Sequence, residues 1–165
     1  MKALMKKARA LAVALLVLIA FSQNIRAVSP ATLVSDLLAK TGLKYSSYEG
    51  QDNLWTLTYV GLENMESLDL YVWARKSGYV TIYTTIFSIE EEPSKSFLWR
   101  LLELNDDMLG LKYVIREDPE EEGVYLVDCQ VDLSLTAINA NELREAIEGL
   151  VMNVDAEYPE LEDLL

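Results

Sequence analysis

No histidine occurs anywhere in the 165 residues. That removes the commonest general base, the Ser-His and Cys-His nucleophile systems and most zinc sites. Ser94-Lys95-Ser96 sets hydroxyls beside an amine, but small polar residues also cap helices, and the apolar pattern that starts at Phe97 favours the cap. Glu117, Asp118, Glu120, Glu121 and Glu122 crowd one turn that could offer oxygens to calcium. Pro119 interrupts the run and the alternating ligand spacing of an EF-hand is missing, so a solvated hairpin tip is expected. The chain has no glycine-rich phosphate loop, Cys pair or G-x-S-x-G elbow, which leaves nucleotide, redox and hydrolase readings without residues. A carboxylate pair for glycoside hydrolysis depends on fold geometry, and no spacing singles one out. The expectation is a protein that is not an enzyme, with no catalytic residue, metal ligand or cofactor.

What the spacing does single out is aromatic. Tyr71 and Trp73 alternate with Leu70 and Val72, and Tyr79 and Tyr83 alternate with Val80 and Ile82. In strands that alternation puts Tyr71, Trp73, Tyr79 and Tyr83 on the face opposite the aliphatic residues. Aromatic clusters of this kind make partner-binding surfaces, and a second packed layer or ordinary cross-strand pairing would use the same residues. The candidate site is this face, and its expected occupant is a protein or peptide partner, a second copy of the chain included.

Nine elements must position it. SPATLVSDLLAKTGL reads as a helix, with Ser29 to cap it, Pro30 at the first position and Gly42 to end it. From Lys44 to Phe87 the period changes to two, giving four strands: KYSSYEG, LWTLTYVG, LDLYVWARK and YVTIYTTIF. SKSFLWRLLELNDDMLG, Ser94 to Gly110, is an amphipathic helix whose stripe is Phe97, Leu98, Leu101, Leu102 and Leu104. Glu90, Glu91 and Glu92 suit its positive end, and Gly110 closes it. LKYVIRE and VYLVDCQVDLSL are strands five and six. A last helix starts near Asn139, in capping-box spacing to Glu142, buries Leu143, Ile147, Leu150, Val151 and Val154, and is broken by Pro159. Short turns imply antiparallel pairing. The expected fold is α+β: an antiparallel sheet of about six strands packed on one face by helices, in the order α-β-β-β-β-α-β-β-α.

The charge is lopsided, with 14 Lys and Arg against 27 Asp and Glu. Five of the cations (Lys2, Lys6, Lys7, Arg9 and Arg26) lie in an N-terminal segment without acids; 14 less 5 leaves 9 against 27, a net of −18 for the remainder. Such a field repels phosphate backbones and anionic lipid surfaces, so neither nucleic acid nor stable membrane anchorage is expected. The N-terminal segment reads as a signal peptide, with MKALMKKAR as the basic region, ALAVALLVLIAF as the apolar one and cleavage after Ala27. The apolar run is about a dozen residues, short of the roughly 20 that span a bilayer. Residues 1–27 are therefore expected to be removed and 28–165 to be a single domain, periplasmic or extracellular. Cys129 has no partner for a disulfide and alternates with Val127 and Val131, the pattern of a buried small hydrophobe.

The element order, LLELND, the hairpin LKYVIREDPEEEGVYLVDCQVDL, the Leu135-Thr136 step, NELREAIEGL and Tyr158-Pro159 resemble the YbjN-like family, grouped with bacterial sensory transduction regulators and similar in fold to type III secretion chaperones. The resemblance is strongest from Leu98 onward. It implies a non-enzymatic binding or regulatory module, with dimerisation among its expectations; the matching positions pack and cap, so no functional residue carries over. The leader departs from chaperone-like members, which work in the cytoplasm. The alternatives to partner binding are a carrier holding a small apolar ligand between sheet and helices, and an enzyme using carboxylates alone.

Overall fold

A computed structural model of the chain describes residues 28–108 and 110–165, so the leader reading lies outside the described residues. The elements are α1 (Pro30–Thr41), β1 (Ser46–Ser47), β2 (Leu54–Val60), β3 (Ser67–Ala74), β4 (Tyr79–Ile89), α2 (Lys95–Asp107), β5 (Leu111–Glu117), β6 (Tyr125–Ser134) and α3 (Ala140–Glu162). The order is the expected one. All pairings are antiparallel and the sheet runs β1-β2-β3-β4-β6-β5. After β4 the chain leaves through α2, returns as β5 at the far edge, and inserts β6 beside β4.

Alternation sorts the two faces. Leu57, Leu70, Val72, Val80, Ile82, Val127 and Cys129 point to one side and are buried by α1, α2 and α3 in one continuous core. Ser29 caps α1 by accepting from Thr32 N–H at 3.1 Å, and Gly42 ends it at φ +76°. Asn139 and Glu142 close the expected capping box on α3. No helix among the described residues is long and apolar enough to cross a membrane.

Six local expectations change. The first strand shrinks from KYSSYEG to Ser46–Ser47, because a polar edge segment has little apolar surface to bury. At β4 a bulge between Thr85 and Phe87 gives the core position to Phe87 instead of Ile86, since a bulge sets two residues against one. Helix α2 begins only at Lys95, so Glu90, Glu91 and Glu92 precede its cap; it ends at Asp107, with Met108 N–H donating to the Leu104 carbonyl, and Gly110 (φ +92°) serves the turn beyond.

The stripe of α2 is also narrower than its sequence suggests. Phe97, Leu101 and Leu104 are buried, whereas Leu98 is exposed and Leu102 is 61% exposed. The Asn105 side chain explains this: its Nδ2 donates to the Tyr113 carbonyl at 3.0 Å and its Oδ1 accepts from Tyr113 N–H at 2.6 Å. The helix thus flanks the β5 edge, and only one line of residues reaches inward. The same amide blunts that edge in the way sheet proteins commonly protect unpaired strands.

Pro159, expected to break α3, lies inside it. A proline cannot donate to the carbonyl four residues back, which is that of Asp155. Here that carbonyl accepts from Asn64 Nδ2 at 2.9 Å. The Asp155 carboxylate, itself nearly buried, accepts from the backbone N–H groups of Glu63, Asn64 and Met65 at 3.0–3.1 Å. The β2–β3 turn is thereby docked onto α3. Removing that acceptor strands up to three donors, so Asp155→Ala should lower stability by about 2–4 kcal/mol. Glu120→Ala, at the exposed hairpin tip, should stay within about 0.5 kcal/mol. Urea unfolding at neutral pH measures both.

Candidate functional site

The face that the helices leave uncovered is built by the register of β2, β3, β4, β6 and β5. Thr56 lies opposite Tyr71, Tyr71 opposite Tyr83, and Tyr83 opposite Gln130. One step along, Trp73 lies opposite Thr81 and Thr81 opposite Asp132. One step the other way, Thr85 lies opposite Asp128 and Asp128 opposite Val114.

Three of the four expected residues meet there. Tyr71 and Tyr83 stack at 5.1 Å between ring centroids, an arrangement that adds to their area burial. Trp73 is 37% exposed, with the Arg75 guanidinium 4.5 Å above its ring. Tyr79 shares the face but stands apart, at the end of β4 opposite Ser134, where with Arg75 and Asp132 it lines a separate shallow recess. Tyr48, in a segment that reads as polar, adds an edge-on contact to Tyr71 at 6.1 Å. Burial raises the hydroxyl pKa of Tyr71 and of Tyr83, helped by Asp69 and Tyr48 for the former and by Tyr71 and Asp128 for the latter. Both therefore act as neutral hydrogen-bonding phenols.

Alternation also places Arg75 on this face; Arg116, Asp128, Asp132 and Gln130 join it only through the β4–β6 and β5–β6 pairings. Arg116 Nε donates to Asp128 Oδ2 at 2.6 Å, and Thr85 Oγ1 donates to the other oxygen of Asp128 at 2.7 Å. Arg75 Nε donates to Thr81 Oγ1 at 2.6 Å, and that hydroxyl donates onward to Asp132. Between these two clusters lies a cleft of about 280 Å³ lined by Trp73, Arg75, Tyr83, Arg116 and Gln130. It combines aromatic surface with fixed charges of both signs, which suits binding, and it holds no acid and base aligned on a reacting atom.

The other chemical candidates fall elsewhere. Asp155 is committed to the three N–H groups of the β2–β3 turn, and Asp128 to Arg116 and Thr85; the two buried carboxylates do not share a site. Among the described residues no cluster of three acids or Cys could hold a metal ion, and Glu120, Glu121 and Glu122 are exposed. Ser94 is the helix cap, accepting from Phe97 N–H at 3.1 Å. On α2, Leu98, Leu102 and Trp99 (66% exposed) form a second apolar surface, beside which Arg100 ties α2 to α3 through Glu157 and Glu160 at 2.7 and 2.8 Å. The carrier reading has a recess of about 240 Å³ where α3 meets the sheet margin, lined by Leu111, Val131, Ala146, Gly149 and Leu150, below the usual size of a ligand site, and one of about 490 Å³ between α1 and the β1–β2 edge, whose lining by Ser35, Asp36, Ser47, Gln51 and Asp52 is too polar for an apolar ligand.

No family model matches the chain, and no curated protein matches it. Solved structures do. The crystal structure of YbjN from E. coli superposes with a TM-score of 0.51 at 12% identity, covering 79% of this chain and 93% of that one. A chain of the HopA1–SchA chaperone–effector complex superposes with a TM-score of 0.52 at 12% identity, covering 79% and 95%. A chain of the Yersinia pestis type III secretion chaperone SycH in complex with a fragment of YscM2 gives 0.48 at 10% identity, covering 83% and 100%. The protein thus has the α+β fold that YbjN and the chaperone–effector chain share. At such identity the likeness extends to the fold alone.

Cys129 is fully buried. Burial pushes its thiol from the ordinary 9.0 up to about 12, so the folded state holds this proton more tightly than the unfolded chain. The stability this contributes is complete below about pH 9 and is lost as the pH rises toward 12. The slope from one such proton approaches ~1.4 kcal/mol per pH unit. In urea unfolding from pH 8 to about pH 10.5, Cys129→Ala should flatten the alkaline decline relative to the unsubstituted protein, and iodoacetamide should label Cys129 only once urea unfolds the chain.

Proposed function

We propose that this domain is an exported, non-catalytic module that binds a protein or peptide partner through the uncovered face of its sheet. One observation carries the reading: a face that needs only polar side chains to stay soluble instead presents Trp73 and Tyr83 in a cleft edged by two arginines, with Tyr71 stacked on Tyr83 and Tyr48 against Tyr71 beside it. Aromatic and arginine side chains supply most binding energy in protein interfaces. The chaperone–effector complex is a protein assembly by its own description, and a partner-binding role on a shared fold is compatible with that, though a fold hosts many functions.

Photo-crosslinking separates this face from the apolar surface of α2. With a photoreactive amino acid at Trp73, the reading expects a crosslinked partner, identified by mass spectrometry, whose purified form binds the domain; Tyr83→Ala should reduce the yield by about tenfold, as hot-spot truncations do. Crosslinks at Trp99 and none at Trp73 would move the site to α2. If the partner is a second copy, sedimentation of the purified protein gives a dimer that Trp73→Ala dissociates.

Export rests on the leader pattern and the acidic remainder. The mature protein recovered from producing cells should begin at Val28 by intact mass; a chain that keeps its basic segment in the cytoplasm would overturn the localisation.

A further inference from the structure

The two arginines of the outer face are fixed alike and used incompletely. Arg75 is held through Nε to Thr81, with Asp132 behind it; Arg116 is held through Nε to Asp128. These bonds leave the Nη1 and Nη2 ends of both guanidinium groups outside them. Both side chains are about two-fifths exposed and line the same cleft. A guanidinium pinned through Nε is oriented in advance, and its terminal nitrogens match the two oxygens of a carboxylate.

The spacing of their anchoring aspartates is set by β6. Asp128 and Asp132 are four residues apart on one strand, about 13 Å at the usual rise. Tyr83 and Gln130 lie midway between them. In an extended peptide, side chains of one face recur every second residue, so residues i and i+4 are also about 13 Å apart and residue i+2 falls between them. The cleft of about 280 Å³ is smaller than most small-molecule sites and suits one inserted side chain.

Charge limits how acidic the occupant can be. The chain from residue 28 onward has nine cations against 27 acids, yet this face pairs Arg75 and Arg116 with Asp132 and Asp128. It is a locally balanced area on a strongly negative domain. The rest of the surface repels a strongly acidic partner, so carboxylates can be held here only by the two oriented guanidinium groups themselves, one on each, and not by the field of the domain.

We propose that the partner contributes an extended segment of the pattern acid-x-aliphatic-x-acid lying along β6, its two carboxylates on the Nη groups of Arg75 and Arg116 and its central side chain over Tyr83 and against Trp73. The inference rests on the outer face being the binding surface and adds what it recognises.

The test uses fluorescently labelled peptides and the full chain, read by anisotropy. The probe is Gly-Ser-Glu-Thr-Leu-Thr-Glu-Ser-Gly; the comparisons are the same peptide with both glutamates replaced by glutamine, and hexaglutamate. The first peptide should bind about tenfold more tightly than the glutamine peptide, the scale of a charge-assisted pair, and more tightly than hexaglutamate. Arg75→Lys and Arg116→Lys keep the charge facing Asp132 and Asp128, so folding is preserved by circular dichroism, and each should remove most of that preference. Equal binding of the glutamate and glutamine peptides, binding of hexaglutamate as tight as the first peptide, or no binding at millimolar peptide would overturn the proposal. If both nonapeptides bind equally and both are lost in Trp73→Ala, the aromatic face stands and only the acid recognition falls. If the crosslink at Trp73 finds no partner, the face itself is wrong.

Discussion

The β4–β6 ladder is the constraint on which the rest of the molecule depends. It is the non-consecutive pairing of the sheet, joining the β1–β4 meander to the β5–β6 hairpin across α2, and it runs from Tyr79 opposite Ser134 to Ile89 opposite Tyr125. Because side chains alternate from Tyr79 to the bulge after Thr85, its register settles both faces together over that stretch. Val80 with Leu133, Ile82 with Val131 and Thr84 with Cys129 point into the core; Thr81 with Asp132, Tyr83 with Gln130 and Thr85 with Asp128 point out. A slip of one residue would drive Asp128 and Asp132 under the helices at a cost of several kcal/mol per ion. The outward Thr–Asp hydrogen bonds therefore hold register as well as the arginines.

The inner and outer faces meet different demands. The inner one is closed by three helices, each tied by polar contacts as well as packing: α3 to the β2–β3 turn through Asp155, α2 to α3 through Arg100 and to the β5 edge through Asn105, and α1 to α3 through Arg144, which donates to the Thr41 carbonyl. For Arg100, burial works against the charged form, while the Glu157 hydrogen bond and the surrounding carboxylates raise its pKa on balance, so the cation persists where it joins the helices. These ties fix the helices on one side and leave the other side of the sheet open. Exposed aromatic surface is an association hazard, and the large net negative charge supplies the repulsion that keeps such a domain dispersed.

The architecture was legible in the sequence because it rests on local signals: Ser29, Asn139 and Glu142 at caps, Gly42 at a helix end, and a period that changes from 3.6 to 2 and back. The errors lie where a distant partner decides. Pro159 stays helical because Asn64, far away in sequence, takes the carbonyl that the proline leaves free. Leu98 and Leu102 are outside because Asn105 holds α2 against an edge rather than over the sheet. The bulge at Ile86 has no glycine to announce it. At the site, alternation within β3 and β4 placed Tyr71, Trp73, Arg75, Tyr79 and Tyr83 on one face. It could not bring in Arg116, Asp128 or Gln130, since that requires knowing that β6 lies beside β4 and not beside a strand nearer in sequence. Nor could it separate Tyr79 from the stacked pair, which depends on where along the ladder each residue sits.

At 12% identity, what this chain has in common with YbjN and the chaperone–effector chain is a fold, and a fold of this kind places its demands on the inner face that packs. The outer face is not bound by them. Threonine at the positions of Tyr71, Trp73 and Tyr83 would serve the strands as well, and lysine in place of Arg75 or Arg116 would still face an aspartate. The fold therefore does not account for two aromatic rings and two Nε-pinned guanidinium groups lining one cleft, with a third ring stacked beside them. Residues that the fold does not require, gathered where the fold leaves backbone positions free, are where the particular activity of a shared scaffold is written. On that argument the outer face, and not the better-packed helical side, is where a chain of this fold is free to differ.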